Sequence, residues 1–228
     1  VVSLHVVLVG IEYEGNLGMI ARLCENFNAK LILVNPKAKV NFESKKWARH
    51  AKGVLEKAKI YQNVKDVKKD VKVLIGTTAK IASQYNVKRS LILPEEVVRT
   101  DDVGLVFGRE SSGLTNEEIK ECDILVNIPT SKKYKSINIS NAVAIMLYQI
   151  TRMPVRRKLA DRKVRDQALR FWEELLVETN YTPDKQKIQA QMFKRVTEKA
   201  TLNEREAYGI AGVLGRILKK IKDLKKGS

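Results

Sequence analysis

Three short polar stretches hold the residues best suited to chemistry. The first is Glu14-Gly15-Asn16-Leu17-Gly18, with Arg22 six residues beyond Asn16. The second is Gly108-Arg109-Glu110-Ser111-Ser112-Gly113, directly after the apolar Leu105-Val106-Phe107. The third runs from Pro129 to Asn141 and includes Lys135, Ser136, Asn138 and Ser140. Amides, hydroxyls, a carboxylate and a guanidinium suit the positioning of a reacting hydroxyl and the stabilisation of charge as it develops. Other chemistries are poorly served. The two histidines, His5 and His50, fall in a strand-like run and near a helix end, so no Ser-His-Asp arrangement is expected. Cys24 and Cys122 sit in apolar-periodic segments and read as small core residues, so neither a disulfide nor a metal site is expected. No GxGxxG follows the first strand and no Walker loop occurs, so a dinucleotide or nucleoside triphosphate site is unsupported.

Each stretch also has a purely local reading. Asn16 could cap a helix. Residues 108–113 could be a turn, with Thr115 and Glu118 as the capping box of the next helix. Ser136 or Ser140 could cap the helix that follows. Taken singly, these readings are the commoner outcome. Three such loops at strand ends of one basic chain favour a shared site.

The elements that must position these loops follow from periodicity. Apolar runs at 5–9, 31–34, 71–75, 105–107 and 124–128 read as strands, with a smaller one at 59–62. Helical spacing marks 16–27, 43–51 and 140–151. Strands separated by helices imply parallel pairing in an α/β layered fold. Ligands in such folds bind at the carboxyl ends of the strands, where all three polar stretches begin.

Beyond Pro154 no strand-like run appears. Residues 155–165 are basic, with Arg156, Arg157, Lys158, Arg162, Lys163 and Arg165. Three amphipathic helices are then predicted. One carries Leu169, Trp172, Leu175 and Leu176. The next opens at Thr182-Pro183 and presents Ile188, Met192, Phe193 and Val196. The last opens with an Asn203/Glu206 capping box. The domains expected are therefore 1–155, a basic linker 156–166 and a helical extension 167–228. The whole chain has 43 Lys and Arg against 26 Asp and Glu, a net charge of +17. Residues 151–228 supply +10 of this, with 20 basic against 10 acidic side chains. Such an excess points to a polyanion, most simply nucleic acid, and the extension reads as its holder or as a dimerisation arm. Aromatic residues are only 6%, which disfavours a reader of single strands by stacking. No apolar run nears the ~20 residues of a membrane span, and no secretory leader is expected, which suggests the cytoplasm.

The motifs together resemble those of the SpoU/TrmH-type SPOUT RNA 2′-O-methyltransferases. The resemblance rests on Asn16 with Arg22, on Phe107-Gly108-Arg109-Glu110 with Gly113-Leu114-Thr115, and on Ile128-Pro129 with Ser136-Ile137-Asn138-Ile139-Ser140. Order and spacing agree across residues 1–150. The stretch from Leu105 to Glu118 and the Gly76-Thr77-Thr78-Ala79-Lys80 loop look closest to the TrmJ branch, which acts on the tRNA anticodon loop. The resemblance implies a mainly parallel sheet flanked by helices, a C-terminal trefoil knot, a homodimer and S-adenosylmethionine as methyl donor. It implies methylation of a tRNA ribose 2′-hydroxyl at cytidine 32, with ribosomal RNA as the alternative substrate and a catalytically silent RNA-binding protein as the alternative class. It carries catalytic roles to Arg22, Asn16, Glu110, Ser136 and Asn138. It places the cofactor at Thr77, Thr78, Ala79, Gly108, Ile128, Lys135, Ser136 and Ile137. RNA contacts are expected from Arg109, Arg156, Arg157, Lys158 and Arg162, with a local pairing as the alternative for Arg109. Arg22 is expected to clamp the substrate phosphate and the developing alkoxide, because a guanidinium has no acceptor and keeps its proton.

Overall fold

The computed structural model describes residues 3–79, 91–97, 102–131, 133–134, 136–152 and 159–226. They divide into two compact units, one within Val1–Ser83 and Leu91–Arg156, the other including Arg157–Ser228.

The first unit is built on seven strands. They are β1 (Leu4–Val9), β2 (Lys30–Val34), β3 (Lys59–Tyr61), β4 (Val73–Thr77), β5 (Leu91–Ile92), β6 (Val103–Phe107) and β7 (Ile124–Val126). Their order is β3-β2-β1-β6-β4-β7-β5, and each described pairing is parallel. Every residue of β1 and β6 is buried, as expected of central parallel strands covered on both faces. On one face Val7, Val9, Ile32, Val34, Leu74, Val106 and Leu125 pack with Val64, Val67 and Ile119. Those last three come from α4 (Val64–Val67) and α5 (Asn116–Glu121). The other helices are α1 (Glu14–Asn26), α2 (Phe42–Ala48), α3 (Lys52–Glu56) and α6 (Ile139–Thr151). α1 packs against both α2 and α6. A Cβ on Gly18 would sit 2.3 Å from the Ser44 carbonyl oxygen, so only glycine lets α1 and α2 approach this closely.

Three details differ from expectation. The helix foreseen over 43–51 is broken, because Arg49 takes a left-handed backbone (φ 55) and a 3₁₀ turn over Arg49–Ala51 leads into α3. β5, only two residues long, was too short to announce itself by pattern. Thr77, expected in a loop, is the last residue of β4.

The second unit contains α7 (Arg162–Glu178), α8 (Pro183–Lys199) and α9 (Glu204–Lys226). α7 starts inside the stretch read as a linker, where the Asp161 carboxylate accepts the Lys163 N–H and caps it. Leu175, Leu214 and Leu218 form the core with Phe171, Trp172 and Phe193, and the Trp172 and Phe193 rings stack at 5.0 Å. The Asn203/Glu206 capping box is formed. The apolar face foreseen on α8 is mostly in solvent: Phe193 packs inward, whereas Ile188, Met192 and Val196 are exposed. Three helices of this length enclose too small a core to cover a second stripe. Among the described residues, no helix is long and apolar enough to cross a membrane.

His5 is buried in β1, and its Nδ1 has no hydrogen-bond partner. Burial lowers its pKa, Lys30 adds to the effect, and Asp70 and Asp102 oppose it. The unfolded chain therefore takes up this proton first as pH falls. Stability is full above about pH 6.5 and declines as pH drops from there toward the lower folded-state value. Denaturant titrations between pH 7.5 and 5.5 should show that decline, and His5→Leu should flatten it.

Candidate functional site

β1 and β6 are neighbours, with Leu8 opposite Phe107, so their exits emerge side by side at the carboxyl edge of the sheet. A single carboxylate ties the two exits together. Glu110 accepts hydrogen bonds from the backbone N–H of Glu12 (2.9 Å) and Tyr13 (3.4 Å) and from Nδ2 of Asn16 (3.0 Å). The tie is reciprocal, because the Glu12 carboxylate accepts the Ser111 N–H at 3.0 Å. It also accepts Lys37 Nζ at 2.9 Å. Those hydrogen bonds, Lys37 first and Ser111 next, hold the Glu12 carboxyl down to about 2. Asn138 brings in the third stretch: its Nδ2 donates to Asn16 Oδ1 at 3.2 Å. Its own Oδ1 accepts from the Ser140 N–H and hydroxyl, at 2.9 and 2.7 Å.

The network settles the competing local readings. Asn16 does not cap α1, whose N-cap is Tyr13 with no side-chain cap bond. Its amide is turned to Glu110 and Asn138 instead. α6 is capped by Asn138, not by Ser136 or Ser140. The Thr115/Glu118 capping box of α5 is formed as well, so the second stretch serves both readings.

Arg109 is held within its own loop. Its two Nη atoms donate to the Glu118 carboxylate at 2.9 and 2.8 Å, and Nη1 reaches the Gly113 carbonyl at 3.3 Å. Burial pushes Glu118 upward, but Arg109 and the Thr115 N–H outweigh it and the carboxyl is lowered; pairing with Glu118 raises Arg109. This guanidinium is engaged in the local pairing that was the alternative to an RNA contact. It also explains Gly10, where φ is +63 and a Cβ would lie 2.8 Å from Arg109 Nε. Gly108 was expected to admit a ligand. What crowds it is its own chain, since a Cβ would meet the Gly113 carbonyl carbon at 2.2 Å and the Leu114 nitrogen at 2.3 Å.

The loops after β4 and β7 are tied to each other. The Thr78 N–H donates to the Val126 carbonyl at 3.0 Å, and Asn127 Nδ2 donates to the Thr78 carbonyl at 2.8 Å. Thr77 turns its hydroxyl to the Val106 carbonyl at 3.0 Å. Next in sequence to this tie, Ala79 is exposed and Ile128 half-buried; Ile137, in the third stretch, is half-buried as well. Ser136 is exposed. Arg22 is exposed on α1, six residues past Asn16. Six residues are ~9 Å along the axis and a third of a turn around it, and Arg22 takes no part in the Glu110 network. Arg162 opens α7 in the second unit. Lys135, Arg156, Arg157 and Lys158 lie outside the described residues. Sequence reasoning missed Glu12, Lys37 and Asn127. Glu12 and Asn127 each stand where an apolar run turns polar, a signal that was there to use. Among the described residues no three His, Cys, Asp or Glu side chains gather as a metal site.

The model of the SpoU rRNA Methylase family matches residues 3–148, which contain every member of the Glu110 network. The chain belongs to that family. It is 35% identical over 222 residues to the tRNA (cytidine-2′-O-)-methyltransferase TrmJ of Methanocaldococcus jannaschii, covering 91% of this chain and 96% of that one. It is 40% identical over 152 residues to the TrmJ of Sulfolobus acidocaldarius, covering 64% of each. Among solved structures, a probable methylase family protein from Haemophilus influenzae Rd KW20 superposes with a TM-score of 0.65 at 25% identity, over 97% of this chain and 98% of that one. TrmJ from Z. mobilis ZM4 shares the fold, with a TM-score of 0.67 at 22% identity over 94% and 98%. The parallel sheet flanked by helices is thus the SPOUT methyltransferase architecture.

The crowding at Gly108 gives a direct test. Gly108→Ala should cost about 1–3 kcal/mol, because the added methyl meets backbone that cannot rotate away. Gly53→Ala, at a helical position with nothing within 4 Å of the added Cβ, should be neutral or stabilising. Urea midpoints of the two variants provide the comparison.

Proposed function

We propose that this chain transfers a methyl group from S-adenosylmethionine to the ribose 2′-hydroxyl of a tRNA nucleotide, cytidine 32 of the anticodon loop. The observation that carries this is the M. jannaschii relative, a named tRNA cytidine methyltransferase, whose likeness runs through both units of the chain. The family's description names ribosomal RNA, which is the second reading. A match reaching into the basic helical unit favours tRNA, because that unit lies beyond the residues the family model covers.

The cofactor fits the loops after β4 and β7. Half-buried Ile128 and Ile137 would offer apolar surface to an adenine ring, and the exposed Ala79 and Ser136 would pair with its polar edge. A solved rRNA methyltransferase from Sinorhizobium meliloti on this fold is AdoMet-bound. When bound, S-adenosylmethionine supplies an electrophilic methyl. The chain's own residues do the rest. Glu110 and Asn138 fix Asn16, which leaves the loop edges set before substrate arrives. Positioning of this kind is worth ~7–11 kcal/mol in favourable cases. Arg22 holds the phosphate beside the target ribose and stabilises the alkoxide as it forms, while the proton departs to that phosphate or to water. Arg22 stands apart from Asn16 within one chain, so the site is completed by a second copy whose Arg22 faces it. The homodimer and the knotted C-terminal half that the resemblance implies belong to this reading. The helical unit, within residues 151–228 and their net charge of +10, holds the body of the tRNA.

Arg22→Ala should leave S-adenosylmethionine binding within about twofold by calorimetry and lower methyl transfer to transcribed tRNA by at least 100-fold. Turnover within threefold of the native chain would remove Arg22 from the mechanism. Mapping the methylated nucleotide decides between cytidine 32 and other positions. Removing residues 156–228 should weaken tRNA binding tenfold or more at one fixed salt concentration, with cofactor affinity unchanged. Equal tRNA affinity would refute the holding role.

A further inference from the structure

Three aromatic side chains lie in solvent around the candidate site. Tyr13 is 61% exposed, Phe42 82% and Trp47 43%. They come from two turns at the same edge of the sheet. β1 and β2 are parallel neighbours, so the turn into α1 and the turn into α2 both leave at the carboxyl edge. Tyr13 is the N-cap of α1, and its N–H is one of those that Glu110 accepts. Phe42 is the first residue of α2. Trp47 lies over the start of α1, with its Nε1 3.5 Å from where a Gly15 Cβ would be. Its ring is fixed by donation from Nε1 to the Glu43 carboxylate at 2.7 Å. Hydrogen bonds lace the two turns together: Lys37 Nζ to Glu12, and the Lys39 N–H to Glu14 at 3.5 Å. Lys37, Lys39, Lys45 and Lys46 come from the same stretch and reach solvent, Lys37 pairing with Glu12, Lys45 with Glu56 and Lys46 with Glu43.

Large aromatic rings held open to water among lysines are costly on a surface with no partner. A protein partner with an apolar face would leave these lysines, Lys39 among them, without a phosphate or other anion to meet. A strand of unpaired nucleotides satisfies both features, since each base offers a face for stacking and each phosphate a charge for a lysine. We propose that Phe42, Trp47 and Tyr13 form a stacking platform for unpaired RNA bases next to the nucleotide being methylated. The platform rests on the reading of the chain as an RNA methyltransferase and adds to it the requirement that the target's neighbours be single-stranded. It also revises the inference from composition: aromatics are few, yet three of them are gathered, uncovered, at the site.

The test uses the full chain and two RNAs, a tRNA transcript and a blunt RNA duplex of similar charge. Phe42→Ala should weaken tRNA binding fivefold or more and leave duplex binding within twofold. The slope of log affinity against log salt should not change, because no phosphate contact is lost; Lys39→Ala, by contrast, should reduce that slope by about 0.7–0.9. In a Trp172→Phe background Trp47 is the remaining tryptophan of the two in the chain, and its emission should be quenched by tRNA and not by the duplex. Phe42→Tyr should restore most of the affinity. Equal losses on both RNAs, or tRNA affinity within twofold of the native chain, would overturn the platform. So would a shift from dimer to monomer in Phe42→Ala by sedimentation, which would make the patch an interface between copies. Methyl transfer by the unmodified chain is scored separately. If it fails on tRNA, the proposed activity falls, and a 15-nucleotide single strand in place of the transcript still decides the platform by the same ratios.

Discussion

The site depends on the carboxylate of Glu110. Parallel strands fix each other through their ladder, but that ladder ends at Leu8 and Phe107. Beyond it the two exits would diverge. Glu110 accepts two backbone N–H groups and one amide from the opposite exit, and Glu12 returns the contact to Ser111. Both Glu110 oxygens are therefore engaged, Oε2 by Glu12 and Oε1 by Tyr13 and Asn16. These bonds make the carboxylate a good anchor, since hydrogen bonds to a charged acceptor are about twice as strong as neutral ones.

The other constraints on the second stretch serve the same loop. Arg109 is drawn across Gly10 to reach Glu118, so Gly10 must lack a side chain and adopt positive φ. Gly108 passes so close to Gly113 and Leu114 that any Cβ would overlap backbone. Glu118 links this packing to α5, because the same carboxylate that binds Arg109 accepts the Thr115 N–H at the helix start. The charge pair framed by glycines is thus a folded unit in itself. It presents Glu110 to the neighbouring loop with the geometry already set. An Arg-to-Lys change at position 109 would lose the two-pronged contact that Glu118 receives.

Much of this was legible in the sequence, and the failures have physical causes. The central strands were plain because burial on both faces gives unbroken apolar runs. The capping boxes at Thr115/Glu118 and Asn203/Glu206 were readable because they are local. What escaped were features set by contacts distant in sequence. Asn16 looks like a cap by position, and only Glu110, 94 residues away, and Asn138, 122 away, show otherwise. Gly108 reads as a place where backbone approaches a ligand, and the second reason for its glycine, the return of the chain at Gly113, is not local. α8 carries an amphipathic stripe that periodicity assigns to a core, but it packs mainly on α7 and turns only Phe193 of that stripe to the Leu175, Leu214 and Leu218 core, so most of the stripe stays in solvent. β5 has two residues and takes its place in the sheet from pairing with β7 alone.

In the proposed function the two units divide the work by kind of force. Charge excess acts over a Debye length, about 8 Å at physiological salt, and is weakened by every increase in salt. It gathers RNA onto the chain and selects no nucleotide. Selection requires groups fixed to within a fraction of an ångström, and the Glu110–Asn16–Asn138 chain of hydrogen bonds supplies that rigidity. Its members come from three segments that no single helix or strand contains. A site assembled this way forms only when the sheet, α1 and α6 are all in place. Folding of the first unit and competence of the site are therefore one event, and a chain with a loosened sheet edge would hold RNA by charge without aligning it.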